Sequence, residues 1–175
     1  YFVRTGGQSV LKQLKRIELH SGGTSFPCLT IQPPFSYRSL DVDKIILNQK
    51  GVEGDAHAGD WHRQVSLLAK ESIEKWGGQA KRKVSWGEFA ENITTEGITL
   101  YETNPGDRLI IGDVELEVTQ IGKKCHGKGC AIFKEVGNCV MPKEGIFAKV
   151  IKFGNVKAGD EIKYNPNKQT NPDGV

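Results

Sequence analysis

The sequence predicts a mainly β fold, closed or nearly closed into a barrel, with a few short helices. Three observations carry the prediction: short apolar runs recur at close spacing, few stretches have a helical period, and glycine-containing turns separate the runs. Closure is favoured because it removes the edge strands that a small open sheet would expose. A chain of 175 residues suits one domain and can bury a core without disulfide or metal staples. The expected organisation is a leader or cloning remnant over 1–16, poorly ordered, then one barrel domain over 17–164 and a polar tail over 165–175.

Taken in order, Ile17 to Leu19 and Leu29 to Ile31 read as short strands separated by Gly22 and Gly23, and Pro33 with Pro34 interrupts the chain beyond them. Val42, Ile45, Ile46 and Leu47 suggest another strand. Gly51 to Asp60 mixes glycines and acids too densely for a strand or helix interior and reads as a shaped loop. Val65, Leu67 and Leu68 form a strand-like run, and Lys70 to Trp76 has the period of a short amphipathic helix. Trp86 to Leu100 reads as a loop running into a short strand near Ile98. Asp107 to Ile111 and Val114 to Thr119 form a hairpin across Gly112 and Asp113, a pair suited to positive backbone angles. In its second strand Val114, Leu116 and Val118 face a core while Glu115, Glu117 and Thr119 face outward. Ile146 to Ile151 and Glu161 to Tyr164 supply further strands, with a Gly159-Asp160 turn between them.

Composition narrows the function classes. Charged residues at 26% and a mean hydropathy of -0.43 describe a soluble globular chain, and no apolar run approaches membrane-spanning length, so no membrane partner is expected. A net charge of +3 is too small to argue for duplex nucleic acid, which is not expected as a partner, yet it suits a phosphate-bearing small molecule. Three of the four cysteines fall between Cys125 and Cys139, a clustering that resembles a reactive or metal-binding group more than a secreted disulfide framework. A reducing cytoplasm is the expected location.

The candidate chemistry starts at Cys125. Lys123, Lys124 and His126 beside it favour the thiolate, the form needed for a nucleophile, a persulfide carrier or a soft-metal ligand. An inert core thiol is the bland alternative, and the glycine- and lysine-rich surroundings weigh against it. Cys125, His126, Cys130 and Cys139 are also enough in number for a zinc site, although adjacent Cys-His cannot easily share one metal and no CxxC pair is present. Cys130 and Cys139 otherwise serve as accessory thiols, forming a reversible disulfide or shuttling sulfur with Cys125. Cys28, beside Pro27, reads as structural.

A second cluster holds Gly54, Asp55, His57, Gly59, His62 and Arg63. The glycines let the backbone approach a ligand, and His57, His62 and Arg63 supply donors to its anionic or heteroaromatic groups. The competing reading is a polar loop that pins its own turns. Asn92, in a third cluster with Gly87, Glu88 and Thr94, offers a donor and an acceptor to a heterocycle edge or else is a turn residue.

These stretches resemble the MOSC domain, named for the C-terminal region of molybdenum cofactor sulfurases, in its short stand-alone bacterial form. The resemblance covers about residues 40–164 and rests on GVEGDAHAGDWHRQVSLL, GEFAENITTEGI, GDRLIIGDVELEVTQIGKKCH, the stretch from Cys139 to Val150, and VKAGDEI, in the family's order. It implies a β-barrel similar to the pyruvate kinase barrel domain, a molybdenum cofactor (molybdopterin) as ligand, and Cys125 as the family's reactive cysteine. That cysteine would coordinate molybdenum or receive sulfur from a pyridoxal-phosphate cysteine desulfurase, so the implied partners are such a desulfurase or a molybdopterin-handling protein. On this resemblance Gly54, Asp55, His57, Gly59, His62, Arg63, Asn92, Lys123, Lys124 and His126 surround the cofactor. Reduction of N-hydroxylated small molecules is one alternative implied by relatives, and a zinc-stabilised binding module without catalysis is another. The first forty residues depart from the family's usual opening.

Overall fold

A computed structural model describes residues 16–22, 39–55, 58–81, 83–125, 133 and 139–167. Its strands are β1 (Arg16–Gly22), β2 (Ser39–Val42), β3 (Lys44–Asn48), β4 (Gly51–Val52), β5 (Val65–Ala69), β6 (Ile93–Glu96), β7 (Arg108–Ile111), β8 (Val114–Ile121), β9 (Ile146–Lys152), β10 (Gly154–Lys157) and β11 (Ile162–Asn165). Helix α1 (Lys70–Ala80), a 3-10 turn (Leu100–Glu102) and a single helical turn α2 (Met141–Glu144) accompany them. Eight strands form one curled sheet in the order β11-β7-β8-β9-β5-β6-β1-β2, and β10-β3-β4 form a three-stranded sheet. The small sheet packs across the large one, β3 against β1 and β9, and β10 against β1 and β8. The fold is therefore mainly β and a nearly closed barrel, as the strand spacing predicts.

Alternation fills the barrel. Val65 and Leu67 of β5, Leu109 and Ile111 of β7, and Val114, Leu116 and Val118 of β8 meet Ile45, Leu47, Ile146 and Val150 in one cluster. Glu115 and Glu117 stay outside, where Arg108 takes both, its Nη1 3.4 Å from Glu115 and its Nη2 2.7 Å from Glu117. Strand β5 is buried on both faces. Its Leu68 joins a second cluster with Ile73 and Trp76 of α1 and with Phe89, Cys139, Val140, Met141 and Phe147. β5 runs parallel to β6, and α1 makes the crossover that parallel pairing requires. Burial on both faces explains why Val65 to Ala69 reads as a continuous apolar run instead of an alternating one.

Several sequence expectations shift in detail. The helix runs past Trp76 through Gly77 and Gly78, because Trp76 and Gly77 lie buried against the barrel and packing outweighs the low helix propensity of glycine. It ends at Lys81, whose left-handed φ of 52° lets its N–H reach the Gly78 carbonyl. The strand expected near Ile98 is instead Ile93–Glu96, since Ile93, Thr94 and Thr95 pair with Leu67, Leu68 and Ala69 and the chain turns at Gly97. In the β7–β8 hairpin only Gly112 has positive φ, 57°, the requirement of a type II′ turn, so Asp113 needs no special backbone. Strand β10, with only Val156 buried, lies unanticipated before the Gly159-Asp160 turn. The expected strand at Leu29 to Ile31, the leader before Arg16 and the tail beyond Asn167 lie outside the described residues.

Past the end of β8 the chain is tied to α2. Gly122 donates to the Gly145 carbonyl at 2.7 Å, and Lys123 donates to the Pro142 carbonyl at 3.2 Å. A Cβ on Gly122 would lie 2.3 Å from the Pro142 carbonyl oxygen, at a φ of +64°. Gly122→Ala is therefore expected to destabilise the fold by about 2–3 kcal/mol, read as a lowered denaturation midpoint with an unchanged slope. An unchanged midpoint would mean that this approach is looser than the geometry indicates.

Candidate functional site

The loop between β4 and β5 is held from inside. Gly54, with φ 78°, lets the chain turn so that the Asp55 N–H reaches the Val52 carbonyl at 3.1 Å. Gly59 N–H reaches the Lys50 carbonyl at 2.7 Å. Gln64 is the central tie: buried, it donates from Nε2 to the carbonyls of Gln49 and Gly59, both at 2.9 Å, and accepts from Val150 N–H at 2.8 Å. One side chain thus joins the loop to β9.

Asp55 and Asn92 meet although 37 positions apart, Asn92 Nδ2 donating to Asp55 Oδ2 at 2.9 Å. Asn92 Oδ1 in turn accepts from the Ser66 N–H at 2.9 Å and lies 2.9 Å from the Ser66 hydroxyl. Asn92 is 1% exposed, so its amide points inward onto Asp55 and Ser66, and the heterocycle-edge geometry expected from the sequence is not the one seen. Beside it, the Glu91 carboxyl is buried and accepts from Gly87 N–H at 2.6 Å, Phe89 N–H at 3.1 Å and the Thr94 hydroxyl at 3.1 Å. Burial pushes that carboxyl up to about 7, and the hydrogen bonds pull it down less strongly.

The end of β8 supplies the other wall. Val118 pairs with Ala148 and Gln120 with Phe147, so Thr119 is an extra residue at a β-bulge. The bulge breaks alternation: Val118 and Ile121 both pack on the barrel core, while Thr119 and Gln120 both reach the Trp61 to Arg63 segment. The Thr119 hydroxyl contacts the His62 carbonyl and lies 3.1 Å from the Phe147 carbonyl. Gln120 Oε1 is 2.9 Å from His62 Nε2.

A cationic aromatic group completes the site. The Arg63 guanidinium carbon is 4.8 Å from the Trp61 ring centroid and 5.7 Å from that of Phe147, and Lys123 Nζ is 5.9 Å from the same Phe147 ring. Arg63 Nε is buried with no hydrogen-bond partner among the described residues. Cys125 and Lys124 are exposed. Cys125 follows Lys123 by two positions, so their Cα atoms are within about 7 Å.

The structure thus brings His62, Arg63 and Lys123 around Gln120 and Phe147, with Cys125 two residues beyond Lys123 in the chain, while Asp55 and Asn92 link the loop after β4 to Ser66 of β5. Cys139 is buried in the second cluster. His57, His126 and Cys130 lie outside the described residues. Among the described residues no group of three or more His, Cys, Asp or Glu is arranged to hold a metal ion. No helix among them is long and apolar enough to cross a membrane. Gln64, Glu91, Gln120, Trp61 and Phe147 were not singled out by sequence reasoning. Only Gln120 left a signal: after Val114, Leu116 and Val118 the next apolar residue is Ile121, a skipped beat that marks a bulge.

The MOSC domain family model matches residues 54–163, well over half of the chain. No curated protein matches it by sequence. Among solved structures, the YuaD protein from Bacillus subtilis superposes with a TM-score of 0.69 at 17% identity, covering 90% of this chain and 99% of that one. YiiM from Escherichia coli does so with a TM-score of 0.62 at 18% identity, covering 86% and 69% respectively. YiiM from Geobacillus stearothermophilus gives 0.61 at 17% identity, covering 87% and 75%. At these identities the likeness is one of fold.

Proposed function

This chain belongs to the MOSC domain family, and from that premise we propose that it binds a molybdenum cofactor, with Cys125 as the molybdenum ligand or as carrier of a persulfide sulfur. The observation that carries the reading is the exposed Cys125 thiol two residues beyond Lys123, at the end of the barrel where the Arg63 and Lys123 cations flank Phe147.

The residues present fit such a group. A cysteine sulfur is a soft ligand suited to a soft transition-metal centre. Arg63, held against two aromatic rings, keeps a donor buried and without a partner among the described residues, an arrangement that an anionic phosphate or oxo group would relieve. Asp55, Asn92 and Gln64 hold the loop that presents His62 and Arg63. When bound, the cofactor supplies two-electron redox chemistry at molybdenum. As a sulfur carrier, the Cys125 thiolate attacks the outer sulfur of a persulfide on a pyridoxal-phosphate cysteine desulfurase; a new S–S bond forms at Cys125 and the desulfurase cysteine leaves as thiolate. A molybdopterin-handling protein is the corresponding partner if Cys125 is a metal ligand.

Protein isolated from a cofactor-producing host is expected to hold stoichiometric molybdenum and pterin, or a transferable sulfur. Absence of all three overturns the proposal. Multiple turnover of an N-hydroxylated substrate with an added electron donor would identify a reductase, whereas a carrier transfers its sulfur once per loading.

A further inference from the structure

We infer that Gln120 is a positioning residue that fixes the His62 ring as its Nε2–H tautomer, so that the ring offers the site a hydrogen-bond acceptor at Nδ1 instead of a donor. Matching donors to acceptors dictates the assignment. The Gly122 carbonyl can only accept, so the end of the Gln120 amide 2.7 Å from it is the NH2 group. The amide oxygen is then the atom 2.9 Å from His62 Nε2. That oxygen also can only accept, so Nε2 must carry the hydrogen. In the neutral ring the remaining nitrogen, Nδ1, holds a lone pair.

The surroundings make this more than a surface contact. The bulge at Thr119 aims consecutive side chains at the same segment, so the Thr119 hydroxyl grips the His62 carbonyl while Gln120 grips its ring. The Trp61 ring lies edge-on to the imidazole, 6.2 Å between centroids. Gly122, the other partner of Gln120, is itself anchored to the Gly145 carbonyl. The relay therefore runs from the segment leading to Cys125, through Gln120, to His62, and joins the two halves of the site.

The consequence is chemical selectivity. The expectation that His62 donates to an anionic group does not hold for the neutral ring: the ligand atom facing it bears an N–H or O–H, or is a metal. Bare anionic oxygens are left to Arg63 and the lysines. The ligand's identity rests on the function proposed above, while the tautomer does not.

Long-range 1H–15N correlation of histidine-labelled protein, above the pH range of imidazole titration, reads the tautomer directly, with His62 assigned by its loss in His62→Asn. We expect Nε2 at the protonated limit and Nδ1 at the pyridine-like limit. Gln120→Leu should give averaged shifts, as the two tautomers exchange, and Gln120→Glu, which retains an acceptor, should restore the limiting ones. A protonated Nδ1 in the native protein, or native shifts identical to those of Gln120→Leu, overturns the inference. Should Gln120→Leu not fold, the native spectrum and Gln120→Glu still decide. Absence of molybdenum, pterin and transferable sulfur alike would overturn the function proposed above and leave this tautomer result standing.

Discussion

Cys125→Ala is expected to lower retained molybdenum and pterin, or transferable sulfur, more than about 100-fold, beyond the loss caused by removal of an outer-sphere partner. Cys125→Ser should fail equally, because a hydroxyl is neither a soft ligand nor ionised at neutral pH. Cys125 is exposed, so both variants should keep an unfolding free energy within about 0.5 kcal/mol of the parent. The contrast between lost ligand and kept fold makes the result interpretable. Element analysis, pterin fluorescence and sulfur release, each beside a denaturation curve, provide the check. Unchanged retention in Cys125→Ala would remove Cys125 from the site.

Raising the pH from about 4.5 to above 7 is expected to destabilise the fold through Glu91 by about 3 kcal/mol. The direction of the shift sets the sign. Burial raises the folded carboxyl from 4.5 to about 7, so between those values the folded state binds the proton more tightly than the unfolded chain. The contribution is complete below the unfolded value and is lost as pH rises through the folded one. Above it the fold must keep an ionised carboxylate buried, held by Gly87, Phe89 and Thr94. Urea denaturation of the parent and of Glu91→Gln at several pH values isolates the effect, since other carboxylates contribute to both. The difference between the two proteins should shift by that amount across the window, and parallel curves would show that Glu91 does not titrate there. Because Glu91 adjoins Asn92, loosening of its loop is expected to reach the Asp55 link as well.

Local pattern was enough for most of the barrel. Strict alternation in Val114 to Val118 specifies which face is buried, and a Gly-Asp pair between two such runs specifies a hairpin, because both depend only on near neighbours in the chain. The continuous run from Val65 to Ala69 was legible as a strand for the same reason, but not as one buried on both faces, since that depends on α1 and Phe89 arriving from elsewhere. Helix α1 outlasted its apparent end because burial of Gly77 compensated for its poor propensity.

The site divides in the same way. By itself the sequence determined the order of motifs that marks a MOSC domain, and it singled out Cys125 with its neighbouring cations and the loop carrying His62 and Arg63 as the candidate site, for these are local chemistry and composition. Only the tertiary structure decided what each polar group does with its hydrogen bonds. Asn92 faces inward because Ser66 and Asp55 take up its amide, Gln64 is a tie between loop and β9, and a one-residue bulge brings Gln120 onto His62. A side chain's type states what it can donate or accept, but its partner is set by strands that meet only when the barrel closes.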